Sequence, residues 1–311
     1  MKINIEKLLK FKSVIGLLFF TVVISLLSPQ FLSFSNILNV FRQTSINSII
    51  AAGMTFVILT GGIDLSVGSI LAFAGAVCAS LIASGMSPLI AVMIALGIGI
   101  VVGGLTGVII NKGKVQPFIA TLVTMTVLRG ATLVFTDGKP ITLGGGGSAE
   151  KFSTIGNGYF LGIPIPIYIT LIVFVASYYI LRQTRLGRYV YALGGNEEAT
   201  KLSGISVGKI KVIVYAISGL FAALAGIIIT SRLASAQPNA GSGYELDAIA
   251  AVVLGGTSLS GGFGSILGTV VGALIIGILN NALNILNVSS YFQMIVKGAV
   301  ILVAVLLDRK K

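Results

Sequence analysis

Ten stretches of the chain are apolar over runs that fit a lipid solvent better than water. They fall at about 13–28, 37–60, 66–84, 88–110, 117–136, 164–181, 210–231, 245–256, 265–286 and 290–307. A helix needs about 20 such residues to cross the hydrocarbon layer. The eighth stretch is too short to cross alone as a regular helix. The second opens on the polar run RQTSIN (42–47), which predicts a broken or partly interfacial helix. Between the apolar stretches lie short polar joints and two longer ones, 137–163 and 182–209. The pattern predicts an all-α polytopic membrane protein forming one transmembrane domain over 1–311, with about ten transmembrane helices, some broken or short.

Two of the breaks look alike. VILTGGIDLSVGSI (57–70) and VVLGGTSLSGGFGSIL (252–267) both interrupt apolar segments with glycine. Aligning Gly61-Gly62 with Gly255-Gly256 also pairs Leu65 with Leu259, Ser66 with Ser260 and Gly68 with Gly262. Glycine lets backbone leave helical geometry and lets chains approach closely. Irregular backbone at membrane depth survives only when buried in protein or lining a wet cavity. Glycine-interrupted segments in corresponding halves of a membrane protein point to transport sites. The spacing around the two copies leaves parallel and inverted repeats equally open.

Composition agrees with the pattern. Of 311 residues, 55% are hydrophobic and 10% charged, against roughly 25% charged in soluble domains. The net charge of +12 would suggest nucleic acid in a soluble protein. Here the cations sit at helix ends, so topology explains them and no nucleic-acid partner is expected. With the N-terminus (1–12) inside, 15 Lys and Arg fall in inside segments and 3 in outside ones, which puts both termini in the cytoplasm. The joint 137–163, with its GGGG at 144–147, then reads as a mobile exterior loop, and 182–209 as cytoplasmic. The N-terminus has lysines before an apolar run but no small-residue cleavage site, so it reads as a retained first span. One cysteine, Cys78, allows no internal disulfide, and histidine is absent. No metal or other cofactor is expected, and no catalytic constellation stands out. The nearest ATP-site look-alike, GVIINKGKV (107–115), has one residue too many between its glycines and lacks the Ser or Thr that must follow.

Candidate functional residues are polar groups inside apolar runs. Asp64 is the foremost, because a charge at depth is expensive and usually functional. It can cap the helix that follows, pair with Arg42 or Arg129, or touch the transported solute or ion. Asn280, Asn284 and Asn287 recur at i, i+4 and i+7 in GILNNALNILN and share one helical face, with Asn281 adjacent. Buried amides need partners, so this stripe faces another helix or an aqueous path, where it would suit a neutral polyhydroxy solute. Arg42, Arg129 and Lys297 fall within spans and are expected to snorkel toward the interface. Glu245 and Asp247 are expected to serve the dipole of a short helix in GYELDAIAA, or else a gate. Two glycine ladders, Gly99/Gly103/Gly107 and Gly264/Gly268/Gly272, predict close helix packing.

The inside joint carries the remaining signal. Residues 196–203 predict a short helix: Asn196 caps it, Glu197 and Glu198 suit its first turn, Lys201 its last, and Gly204 stops it. A capped polar helix held off the membrane between two spans is a handle that a soluble partner could move.

EATKLSG, from Glu198 to Gly204, resembles the E-A-A-x3-G signature of ABC importer permeases, with Thr200 in place of the second alanine. TRLGRYVYALGGNEEATKLSGI, GMTFVILTGGIDLSVGS and YELDAIAAVVLGGTSLSGG are similar to the ribose/branched-chain-type permease family, over about residues 36–307. The resemblance implies a type II ABC importer-like permease that pairs with a second copy of itself in a bacterial cytoplasmic (inner) membrane. It implies a cytoplasmic sugar-type ATPase and an external sugar-binding protein that delivers ribose. In that reading Asn196, Glu197, Glu198, Ala199, Thr200, Lys201 and Gly204 form the ATPase-coupling element, while Asp64, Asn280, Asn284 and Asn287 are candidates for the path or gate. The competing expectation is a gradient-driven transporter or channel with no ATPase, for which Asp64 would be the leading carboxylate.

Overall fold

The computed structural model describes residues 12–308. Its α-helices are α1 (Lys12–Leu27), α2 (Phe34–Leu59), α3 (Val67–Ala83), α4 (Pro88–Lys112), α5 (Pro117–Thr136), α6 (Gly147–Asn157), α7 (Ile165–Gln183), α8 (Arg185–Gly195), α9 (Glu197–Leu202), α10 (Val207–Leu233), α11 (Tyr244–Leu254), α12 (Ile266–Ile285) and α13 (Ser290–Asp308). Each of the ten apolar segments coincides with one of these helices. By length and composition, α4, α5, α7, α10 and α12 suffice to cross a membrane. The boundaries follow local chemistry. Proline occupies the first turns of α4, α5 and α7, where its missing N–H is no loss. Ser33 and Ser265 cap α2 and α12 by accepting the amides of Asn36 and Gly268.

α10 is the axis of the bundle, packed by α4, α2 and α3. In its most apolar 18 residues 61% are buried, against 22% in α5 and in α7. The outer helices turn Met93, Val101, Val127, Val134, Ile172 and Val175 outward, as a lipid-facing surface requires. The polar run 42–47 does not break α2, which is one continuous 26-residue helix with Thr44, Ser45 and Ser48 buried. It faces protein and a cavity instead of lipid.

The first glycine ladder joins α4 to α10. A Cβ on Gly99 or Gly103 would collide with the carbonyls of Gly219 or Tyr215, and one on Gly107 would crowd Val212. Gly97 has nothing within 4 Å. Gly103→Val is therefore expected to lower the thermal midpoint of the purified chain, at an overpacking cost of about 1–3 kcal/mol. Gly97→Val should leave the midpoint unchanged in the same assay. In the second ladder Gly268 and Gly272 pack on Gly255 and Ala251 of the α11 segment, while Gly264 lies before α12 against Thr257.

Two helices begin inside the bundle. After α2 the chain turns at Gly61 (φ +76°), runs through Ile63 and Asp64, and starts α3 beside α10, with Leu71 against Gly226. After α10, Ser235-Ala236 pairs antiparallel with Ile141-Thr142. The chain then folds back through 237–243 and starts α11. The beginnings of α3 and α11 meet where Gly68 and Gly241 leave no room for a Cβ between their backbones. α3 runs parallel to α10 and α11 runs against it, so the two half-helices point away from each other. The resemblance between 57–70 and 252–267 is thus no repeat of topology: the first glycine segment precedes a half-helix and the second follows one.

The joint 137–163 is not a bare loop. It contains α6, which buries Phe152 and crosses the end of α10. Ser231 Oγ donates to the Phe152 carbonyl (2.6 Å) and accepts the Gly156 amide (2.8 Å). The local sequence is glycine-rich and polar, so this docking is set by a distant partner.

Candidate functional site

One end of the bundle gathers both glycine breaks and the 182–209 joint. α8 is an amphipathic helix that the sequence reading missed, although Thr184 caps it and VYALGG follows two arginines with helical spacing. It buries Val190 and Leu193. Tyr191 donates its hydroxyl to the Gly264 carbonyl (2.9 Å), and burial holds its pKa above the usual phenol value, so the donor persists. At the end of α8, Gly194 fits against the Leu59 carbonyl and the Gly262 amide, and Gly262 N–H in turn donates to Leu59 O (2.9 Å). The end of α2, the loop after α11 and the end of α8 thus touch at one point made almost wholly of backbone. This is what the glycines of both breaks accomplish.

The predicted short helix forms as α9. Asn196 Oδ1 accepts the Ala199 amide (2.8 Å), Glu197 and Glu198 occupy the first turn, Lys201 the last, and Gly204 has φ +78°. Glu197 is tied to Lys211 at the start of α10 (2.8 Å). Glu198, Ala199, Lys201 and Leu202 project outward, Leu202 with 88% of its surface exposed. Thr200 is the buried member of the helix and bonds back to the Asn196 carbonyl (2.7 Å).

Asp64 pairs with neither arginine. Its Oδ1 accepts the amide and hydroxyl of Ser66, the residue just before α3, and its Oδ2 accepts Ser218 Oγ (2.7 Å). It is fully enclosed and supports the start of α3 from the side of α10, close to the capping role. It lines neither the outer groove at Arg42 nor the cavity at Asn280.

Snorkelling is overturned for two of the three cations. Arg129 on α5 donates to the carbonyls of Pro238 (2.8 Å) and Ala240 (2.9 Å), pinning the turns that lead back into α11. Lys297 on α13 meets Asp247 of α11 (3.0 Å), which also accepts Asn47 Nδ2 (3.1 Å). Asp247 therefore serves an ion pair between helices, and Glu245 accepts the Gly243 amide at the start of α11. Arg42 borders an outer groove of about 720 Å³ with Asn36, Asn39 and Tyr159.

The asparagine stripe divides. Asn280 and Asn284 line a cavity of about 470 Å³ between α2, α10, α11, α12 and α13, together with Thr44, Asn47, Arg232, Asp247 and Lys297. Asn287 leaves the stripe, because α12 ends at Ile285 and Asn287 turns to φ +53°. The helix-to-helix amide bond falls to Asn281, which exchanges hydrogen bonds with Asn36 of α2 (3.1 and 3.2 Å). Thr44 and Asn47 are functional candidates that the sequence showed only as part of a polar break. Their i, i+3 spacing, which puts both on one helical face, was the available signal.

Comparison with known proteins adds the family. The model for "Branched-chain amino acid transport system / permease component" matches residues 36–305. The chain is similar to the Ribose import permease protein RbsC of Haemophilus influenzae, 61% identical over 301 residues (97% of this chain, 93% of the relative). It is 58% identical over 297 residues to that of Bacillus subtilis (96% and 92%). To the D-allose transport system permease protein AlsC of Escherichia coli it is 44% identical over 288 residues (91% and 86%). No solved structure matches the chain. A match over most of the chain, with relatives of this identity covering nearly all of it, means that the chain belongs to the branched-chain amino acid transport system permease-component family.

Proposed function

We propose that the chain is the membrane-spanning permease subunit of an ATP-driven, binding-protein-dependent ribose importer. The observation that carries this is the identity of 61% and 58% to two ribose import permeases over nearly their full length, against 44% for the D-allose permease. In this reading the chain crosses the bacterial cytoplasmic membrane ten times, with both termini inside, and pairs with a second copy. α11 completes its crossing with the turn segment 237–243 that precedes it. A cytoplasmic ATPase and an external sugar-binding protein complete the machine.

The coupling element is α9, flanked by Asn196 and Gly204. Its outward side chains Glu198, Ala199, Lys201 and Leu202 suit a docking face. A shift of α9 is passed to α8 through Asn196, and from Gly194 to the Leu59 and Gly262 backbones. Both half-helices are attached to that point, so one cytoplasmic push displaces both glycine breaks together. Opposed half-helices that meet through the Gly68 and Gly241 backbones have little side-chain interlock there to resist such a shift.

The test is uptake against ATP turnover in proteoliposomes holding the permease, its ATPase and the sugar-binding protein. Glu198→Ala and Gly204→Val should separate ATP hydrolysis from ribose uptake, lowering the sugar moved per ATP by about tenfold or more, equivalent to ~1.4 kcal/mol of lost coupling. Sugar capture by the binding protein should be unchanged. Normal coupling in both variants, or gradient-driven transport by the permease alone, would contradict the reading.

A further inference from the structure

The cavity between α2, α10, α11, α12 and α13 has more unmet chemistry than any other part of the described residues. Among the described residues seven buried side-chain atoms lack a hydrogen-bond partner in the protein, and three of them belong to residues lining this one space: Thr44 Oγ1, Asn47 Oδ1 and Asn280 Oδ1. Thr44 is only 5% exposed. A buried polar atom without a protein partner is costly, so three grouped at one cavity are met there by water or by a solute that can replace it. At about 470 Å³ the space falls within the range of small-molecule sites.

We infer that this cavity is a weak subsite, inside a single permease subunit, for a neutral polyhydroxylated solute of monosaccharide size. The inference rests on the sugar-conduit reading and adds a place and a chemistry to it.

The kind of unmet atom decides the ligand class. Two are amide oxygens, which only accept, and the third is a hydroxyl oxygen. They call for hydrogen-bond donors, which a sugar presents all around its ring and a small oxyanion such as phosphate offers only sparsely. The strongest negative charge at the wall, Asp247, is already engaged by Lys297 and by Asn47 Nδ2, so a free cation finds no open carboxylate pair. Arg232, also on the wall, gives a sugar's ring or hydroxyl oxygens a donor. Gly277 lets the Thr44 side chain pack against α12, since a Cβ there would strike Thr44 Oγ1. The few aromatic groups on the wall (Tyr244 alone) provide little stacking surface, which fits brief rather than tight residence.

The test uses the full-length chain in nanodiscs. The only native thiol, Cys78, is buried, so it stays silent. Asn47→Cys and Asn280→Cys each place a thiol in the cavity, and Ser35→Cys places one in the separate outer groove. Labelling by a small neutral thiol reagent is timed with D-ribose, with inorganic phosphate and with neither. D-ribose at about ten times its half-protecting concentration should slow labelling at positions 47 and 280 roughly tenfold, by mass action on an occupied site. Labelling at position 35 should not change, and phosphate should protect nowhere. Protection by phosphate alone, equal protection at position 35, or no protection at either cavity position would overturn the subsite. Each cysteine variant is scored only where its thermal midpoint matches that of the unmodified chain; Thr44→Cys replaces either one that misfolds. Ribose uptake by the unmodified complete transporter is measured beside it. Uptake without protection defeats the subsite alone, whereas loss of uptake by the unmodified transporter would defeat the transport reading.

Discussion

Gly194→Val is expected to abolish ATP-driven sugar uptake while the chain still inserts and assembles. No side-chain atom fits at position 194: a Cβ would meet the Leu59 carbonyl oxygen and the Gly262 amide nitrogen, both backbone and therefore unable to swing aside. Forced apart, the end of α2 and the loop after α11 lose the Gly262 to Leu59 hydrogen bond that joins them (2.9 Å). Local overpacking of this kind costs about 1–3 kcal/mol, too little to unfold a bundle whose core lies elsewhere. It would, however, disengage the one point at which α8 touches both glycine breaks. Uptake should fall by more than about tenfold, the equivalent of ~1.4 kcal/mol on the coupled step. Gly195→Val supplies the control, because nothing lies within 4 Å of a Cβ there. Equal uptake by the two variants would show that the contact transmits nothing.

Asp247→Ala is expected to be the most destabilising single polar substitution in the described residues. The carboxylate is buried, with its side chain 4% exposed, and it is the partner of Lys297 (3.0 Å). Removing it strands an ammonium group inside the bundle and also leaves Asn47 Nδ2 without its acceptor. Breaking a buried pair from one side costs about 3–5 kcal/mol, and the partial exposure of Lys297, at 28%, puts this case at the lower end. The thermal midpoint in nanodiscs should drop clearly. Adding Lys297→Met should restore part of the loss, because the stranded charge is then gone. A double variant no more stable than Asp247→Ala would mean that the pair contributes through something other than charge.

Much of this molecule is written locally. The ten apolar segments coincide with helices because length and hydropathy alone decide the solvent. The short helix α9 was legible from Asn196, the paired glutamates and Gly204, since a cap acts within three residues of itself. The ladder Gly99, Gly103 and Gly107 announced a close contact, though not that α10 was the partner. What stayed hidden depends on distance along the chain. Asp64 finds Ser218 across 154 residues, and Asn47 finds Asp247 across 200. Arg129 and Lys297 look like interfacial cations until the carbonyls of 238 and 240 and the Asp247 carboxylate come into view. The similarity of 57–70 to 252–267 suggested equivalent positions in two halves. The two segments are instead neighbours at the same end, so shared composition reflects a shared requirement for close backbone contact. Helix α8 escaped notice because its arginines and glycines read as loop, whereas Val190 and Leu193 lie on one buried face.

The central claim is that force enters this chain from the cytoplasm through α9. Leu202→Cys tests it most directly, because position 202 is exposed at the tip of that helix and the only native thiol is buried. The thiol is labelled with a membrane-impermeant maleimide in right-side-out and inside-out vesicles, with and without the assembled ATPase. Labelling only in inside-out vesicles, and protection once the ATPase is bound, is the expected result. Labelling from the outside, or labelling that the ATPase leaves untouched, would contradict it.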